Sequence, residues 1–378
     1  MRSLDDARAV CEKHLPGLYP ALASAPLMEW ERPGNQGLDL FRKFGGPGLL
    51  IPAEYAGHGV TPLEALRITQ AIGSCAPSLA VASTMHHFSV ATIFTLAASL
   101  RASGLEWALL EGISDQNLLV ASGFAEGNPG QGILTPTLRG VPAAGGLTVH
   151  GSKKPCSMAR SMDLFSASVA VPGADGAESA AVILIPASTP GMSVHQFWAS
   201  PILGGAESDE VRLTDVFVDE RLLIPIGTTA DGALDELQTV GFIWFEMLIT
   251  ACYLGMATGL VERVFADSRL GAERLAALGI RLETGVLLLE RIAASIAAGR
   301  TGNAELATAL VARYAAVEAI NDVVTAAVAA LGGLAFITDQ EVGYLASASR
   351  CAGFHPPSRS AMSEALAASF TGAALRIE

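Results

Sequence analysis

The sequence predicts an α+β fold that is mainly α, with a β-module set between two helical blocks, the second of them a four-helix bundle. Three observations carry this. From Leu118 to Val171 the apolar residues alternate as in strands, with glycine and proline interrupting repeatedly. The flanking segments read as helix. Half of the 378 residues are hydrophobic and only 16% are charged, which suits a densely packed helical protein with surface hidden between subunits. The length exceeds what one core usually supports, so two or three domains sharing an interface are expected, and the order of elements divides the chain into an N-terminal helical domain over 1–117, a middle β-barrel or sandwich domain over 118–226, and a C-terminal helical bundle domain over 227–378.

In the first block, Pro16 and the stretch from Pro26 to Gly37 interrupt the helices. Thr61-Pro62-Leu63-Glu64 is a helix start, with Thr61 as cap, Pro62 at the first position and Glu64 at the third. The next helix, Ser78 to Leu100, carries Met85-His86-His87-Phe88 in its middle. Adjacent helical positions differ by about 100°, so the two histidines face different ways. In the β-module, a strand from Leu118 to Ala121 leads into a glycine-rich loop, Gly123 to Gly132, able to bring backbone N–H groups near a ligand. The same composition serves a plain surface turn. Its spacing is not G-x-G-x-x-G, and no helix follows. A hairpin turned at Gly145 and Gly146 leads to Gly151–Ala159, which places Cys156 and Ser157 where a flat ligand lies against a sheet edge. The strand Met162 to Val171 follows. Four helices close the chain: Gly241 to Arg269, Glu273 to Ala298, Ala304 to Leu331, and Val342 to the C-terminal region.

A net charge of −13 without a basic patch argues against nucleic acid. Five scattered cysteines with no C-x-x-C pair read as reduced thiols, and seven histidines without H-E-x-x-H spacing give no metal site. The first ten residues lack an apolar signal core, so a cytoplasmic location is expected. Ile243 to Val261 is nearly long enough to span a bilayer. Its one charge, Glu246, and the helices around it favour a buried bundle helix and no membrane partner.

Six segments in order then carry a resemblance over nearly the whole chain. Ile51-Pro52-Ala53-Glu54-Tyr55-Ala56-Gly57-His58-Gly59 matches a P-E-x-Y-G-G-x-G loop. Ala125-Glu126 stands where T-E-P-x-x-G-S is written, and Gly151 to Ser157 where G-x-K-x-W-I-T is. Thr189-Pro190-Gly191 matches T-P-G, Leu213 to Asp219 is similar to F-x-D-V-x-V-P, and Gly332-Gly333 with Phe336 is similar to G-G-x-G-F. The chain resembles the acyl-CoA dehydrogenase superfamily, whose helical domain, β-domain and four-helix bundle hold FAD and an acyl thioester between them. The resemblance implies α,β-dehydrogenation of an acyl thioester carried by CoA or acyl carrier protein, FAD as cofactor, and a homodimer or homotetramer.

Against that family the catalytic positions are altered. The glutamate base near the C-terminus of the common subgroup falls among Phe354-His355-Pro356-Pro357-Ser358, where there is no carboxylate. The base of the other subgroup falls on Phe245, with Glu246 beside it, so Glu246 is the best candidate base, one residue out of register. A carboxyl in such an apolar helix has a raised pKa unless paired, which suits a base and equally a buried structural hydrogen bond. Glu364, on the last helix, is a weaker candidate. For the flavin, the resemblance implies contacts from Phe124, Ala125 and Glu126, from Gln131 in the glycine-rich loop, and from Cys156 and Ser157. Ala125 lacks the family's hydroxyl, Pro155 replaces its aromatic wall, and the segment after Arg269 lacks the loop that holds a neighbour's FAD. A loosely held flavin, FMN or a reduced flavin, is therefore an alternative to bound FAD.

Flavin monooxygenases of the same fold, which hydroxylate nitrogen, sulfur or carbon, are a second reading. They resemble the chain at His87-Phe88, at Gly151 to Ser157 and at His355-Pro356-Pro357, and they need no catalytic glutamate. His87 and His355 are then the candidates to shuttle a proton. A third reading is a non-redox acyl-thioester binder that has lost its flavin. Dehydrogenation ranks first because it is the commonest activity of the superfamily.

Overall fold

The computed structural model describes residues 1–378 except Leu100, Arg101, Ser103, residues 128–134, 173–177 and 267–269, and Glu378. Seven helices come first: α1 (Arg2–His14), α2 (Leu18–Ala23), α3 (Leu27–Trp30), α4 (Gly37–Lys43), α5 (Pro62–Cys75), α6 (Pro77–Ala97) and α7 (Leu105–Asp115). The start of α5 is the expected capping box. The Glu64 amide donates to Thr61 Oγ1 at 3.2 Å, and the Thr61 amide donates to the Glu64 carboxylate at 2.9 Å.

Eight strands follow: β1 (Val120–Gly123), β2 (Arg139–Ala143), β3 (Gly146–Cys156), β4 (Leu164–Pro172), β5 (Glu178–Pro186), β6 (Met192–His195), β7 (Asp209–Asp219) and β8 (Leu223–Ile226). They form one sheet in the order β6-β7-β3-β2-β4-β5-β8, with β1 parallel to β4. The expected hairpin is β2–β3, tightened to a two-residue turn at Ala144 and Gly145, because Ala143 pairs with Gly146. Cys156 is the last residue of β3 and pairs with Asp209 of β7, whereas β2 pairs only with residues 146–150 of β3, and Ser157 follows the strand.

Strand alternation gives the β1/β4/β5 region two different faces. Ala121, Phe165, Ala167 and Ile183 point into the main core. The opposite face looks toward α6. Val120 and Leu184 pack there with Val90 and Ile93, and Leu164 leans on the same cluster.

The C-terminal helices are α8 (Glu236–Ala266), α9 (Ala272–Ala297), α10 (Asn303–Thr338), α11 (Gln340–Ser349) and α12 (Ser363–Phe370). Helix α5 lies very close to α8 because glycine faces backbone on both sides. A Cβ on Gly73 would sit 2.4 Å from the Cys252 carbonyl oxygen, and one on Gly255 2.3 Å from that of Gln70. Helix α10 is kinked at Gly332, which has φ +82°. The expected helix from Val342 to the C-terminal region is corrected: it ends at Ser349 and gives way to a 3-10 turn over Arg350–Phe354 and then Pro356-Pro357. Proline has no N–H to continue a helix and pushes the residue before it toward extended backbone, as at His355 with ψ 134°. By length and composition alone α6, α8 and α10 could cross a membrane; the apolar windows of α6 and α8 are packed inside the protein, whereas most of that of α10 is not.

Candidate active site

A cavity of about 570 Å³ opens between the sheet, α6, α8 and the segment Phe354–Pro356. Each wall follows from a local periodicity. Met85, Phe88 and Thr92 come from one stripe of α6 at helical spacing, Phe242 and Phe245 from α8, and Ser122, Phe124 and Ser166 from alternate positions of neighbouring strands. Phe88 packs against Phe124 and Phe245 with centroid distances of 6.0 and 5.5 Å, so the middle of the cavity is aromatic. Among the described lining residues there is no lysine or arginine.

The end wall holds the titratable pair of the site. His355 Nε2 and the Tyr253 hydroxyl lie 2.6 Å apart, and both residues line the cavity. Burial and, secondarily, the Arg313 charge push the His355 pKa down to about 3, and burial pushes the Tyr253 phenol well up, so both are neutral at ordinary pH. The backbone around His355 is gripped from α10. Arg313 donates to the carbonyls of His355 and of Pro356, the latter at 3.4 Å, and the Tyr314 hydroxyl donates to that of Pro357 at 2.9 Å.

Glu246 is not in the cavity. Phe245 occupies the facing position, and the next residue turns about 100° away. Its Oε2 accepts from Arg313 Nη1 at 2.7 Å with both side chains buried, while Oε1 has no partner among the described residues. Burial raises its pKa to about 7 although Arg313 opposes the shift. The expected base is corrected to the anchor of Arg313.

His87 is likewise corrected. Met85 and Phe88 take the cavity face of α6, and His87 points to the other side, against Phe41 at a centroid distance of 5.7 Å. Its neighbour His86 donates from Nε2 to the Pro47 carbonyl at 2.9 Å and accepts from the Val120 amide at Nδ1 at 3.0 Å, which fixes one neutral tautomer. Burial holds both rings neutral.

Of the expected flavin contacts, Phe124, Ala125 and Ser157 reach the cavity, with Ser157 Oγ 3.0 Å from Ser208 Oγ. Glu126 touches the wall, but its carboxylate is committed. One oxygen pairs with the fully buried Lys153, and the other accepts from the Thr137 amide at 3.0 Å and hydroxyl at 2.6 Å. Cys156 is corrected: alternation puts Pro155 and Ser157 at the cavity and turns Cys156 into the core, where its thiol donates to the Lys153 carbonyl at 3.3 Å. Burial pushes that thiol up to about 12, so it is inert. Gln131 lies outside the described residues. Glu364 stands on α12, away from the cavity lining.

Sequence reasoning missed Tyr253, Arg313, Ser122 and Ser166. A signal for Arg313 was present: a lone arginine within the apolar run of α10 needs a buried carboxylate, and Glu246 is the one charge in the apolar core of α8. The serines gave none, because their value depends on which strands become neighbours.

The site suits the ring system of a flavin. The cavity volume falls in the usual range for a small-molecule or cofactor site, Pro155 and Phe124 give it an apolar wall, and serine hydroxyls line it. Residues 252–354 match the family described as acyl-CoA dehydrogenase, C-terminal domain. The chain is 46% identical over 379 residues to an isobutylamine N-hydroxylase of Streptomyces viridifaciens, covering 100% of both chains. Among solved structures it is similar to a nitrososynthase from Micromonospora carbonacea var. africana, at 21% identity and TM-score 0.81 with 97% of each chain covered. It is also similar to FMN-bound TdsC from Paenibacillus sp. A11-2, at 17% identity and TM-score 0.77 with 94% of each chain covered.

Proposed function

The chain belongs to the acyl-CoA dehydrogenase superfamily, and within it we propose a reduced-flavin-dependent N-hydroxylase of small primary alkyl amines. The observation that carries this reading is the composition of the cavity. Among its described lining residues it offers a neutral tyrosine–histidine pair and no free carboxylate where a dehydrogenase needs a base to take an α-proton. The identity of nearly half the chain with an amine N-hydroxylase over full length supports the nitrogen substrate. Thioester dehydrogenation, expected first, loses ground on the same facts.

A bound reduced flavin, FMN in this proposal, would supply the chemistry by which one oxygen atom of O2 reaches the amine nitrogen and the other leaves as water. The protein's own part is to shape and dry the site. Phe124, Pro155 and Ser157 would hold the ring, Phe88 and Phe245 exclude water, and the Tyr253 hydroxyl and His355 Nε2 hold a proton at 2.6 Å that either can pass on.

The test supplies the purified chain with FMN, a flavin reductase, NADH, O2 and isobutylamine, and follows the hydroxylamine by mass spectrometry. Hydroxylamine formation is expected, and Tyr253→Phe should lower its rate on the order of a hundredfold while peroxide release continues. Bleaching of a bound flavin by acyl-CoA, with no amine oxidation, would overturn the reading.

A further inference from the structure

The face of the sheet toward α6 changes character along the strands. At Val120, Leu164 and Leu184 it is apolar and packed. Two residues further along β1 and β4 it carries Ser122 and Ser166, which are direct partners in the parallel register and both line the cavity. Parallel neighbours lie about 4.8 Å apart, so the two hydroxyls stand side by side. Each residue is only 7% exposed, and neither hydroxyl has a hydrogen-bond partner among the described residues. The next serine on the same face, Ser168, is accounted for, because it accepts from Lys153 at 2.9 Å. Neither the Ser122 nor the Ser166 hydroxyl is among the sealed, unpartnered polar atoms of the interior, so both open on the cavity, where a polar group of a ligand can take them as partners.

We propose that Ser122 and Ser166 form the binding site for the amino group of a primary amine. This rests on the N-hydroxylase reading and deepens it. The two oxygens accept the two N–H bonds of a neutral primary amine and leave its lone pair free, which is the electron pair that takes up oxygen. The surroundings fit one polar head on a short alkyl tail: Leu184 pairs with Ser166 in the strand register, and Thr92, Ile93 and Leu96 of α6 lie across the cavity. A flavin edge, by contrast, presents several carbonyl and nitrogen groups and needs a longer row of partners than two hydroxyls.

The experiment compares the wild-type chain with Ser122→Ala, Ser166→Ala and the double variant. For each, KM is measured for isobutylamine, its N,N-dimethyl analogue is assayed alongside, and FMN affinity is read by fluorescence quenching. The expected result is a KM for the primary amine raised roughly tenfold in the double variant, with its preference over the tertiary analogue lost and FMN affinity unchanged. An unchanged KM in an active double variant would overturn the serine site alone, as would weakened FMN affinity with amine KM intact. A wild-type chain that oxidises no amine would instead overturn the N-hydroxylase reading beneath it. If the double variant does not fold, each single variant gives the same comparison.

Discussion

Glu246 and Arg313 show how one residue's neighbourhood decides its role. Paired at 2.7 Å in the interior, they are stable only together. Glu246→Ala leaves a buried guanidinium without its counter-charge and should cost about 3–5 kcal/mol, read as a lower urea midpoint. Glu246→Gln keeps an acceptor and should cost clearly less; equal losses would remove the charge pairing from the account. Titration is a second property at this scale. His86 and His355 are pushed down to about 4 and about 3 by burial, and His87 well below its ordinary value. The unfolded chain binds these protons near pH 6.5 and the folded one does not, so their stability contribution is present above 6.5 and lost as pH falls through about 4 and 3. Glu31 and Glu246, raised to about 7, act in the opposite sense, contributing below 4.5 and losing it as pH rises to about 7. The two sets partly offset each other between 4.5 and 6.5, and below about 4.5 the histidines act together with carboxylates that cationic partners hold down, Glu64, Glu210 and Glu262. Thermal midpoints should therefore drop steeply below pH 4.5, and His355→Asn should make that limb shallower.

Between elements, the same logic operates at Glu31. It follows α3, accepts from the amide of Ser78 in the first turn of α6 at 2.9 Å and from the Ser78 hydroxyl at 2.5 Å, and also accepts from the Tyr344 hydroxyl of α11. That hydroxyl in turn accepts from the Leu203 amide at 2.8 Å, tying the loop before β7 to the bundle. Tyr344→Phe strands the Leu203 N–H and should cost about 1–3 kcal/mol, measured by chemical unfolding. A loss within error would mean that water takes the hydroxyl's place. Such junctions explain why elements were legible in the sequence while the site was only partly so. The Thr61 capping box, the strand alternation after Leu118 and the long apolar run of α8 are local patterns, and the structure has all three. The orientation of Glu246, His87 and Cys156 depends on which of two adjacent positions meets the cavity, and packing of distant elements settles that. The shortened last helix shows a local signal underweighted, since Pro356-Pro357 was visible from the start.

On the scale of the molecule, α10 beyond its kink leaves Leu334 and Ile337 77% and 80% exposed, with Phe354 80% exposed on the following segment. Monomeric proteins seldom leave such side chains together in water. We propose that a second copy covers them, in keeping with the alanine-rich faces of the bundle. Light scattering at micromolar concentration should give a dimer or tetramer, and Ile337→Asp should shift it toward monomer; a monomeric wild-type chain would refute the proposal.

The grip of α10 on residues 355–357 has a consequence for how such a site changes over time. Arg313 and Tyr314 hold three consecutive carbonyl oxygens, which every amino acid possesses, and they ask nothing of the side chains attached. The segment is thus a socket into which different chemistry can be fitted: exchange of His355 for another group alters what faces the substrate while the main chain stays where it is. Selection, or a designer, can rewrite the reaction here without first having to rebuild the scaffold.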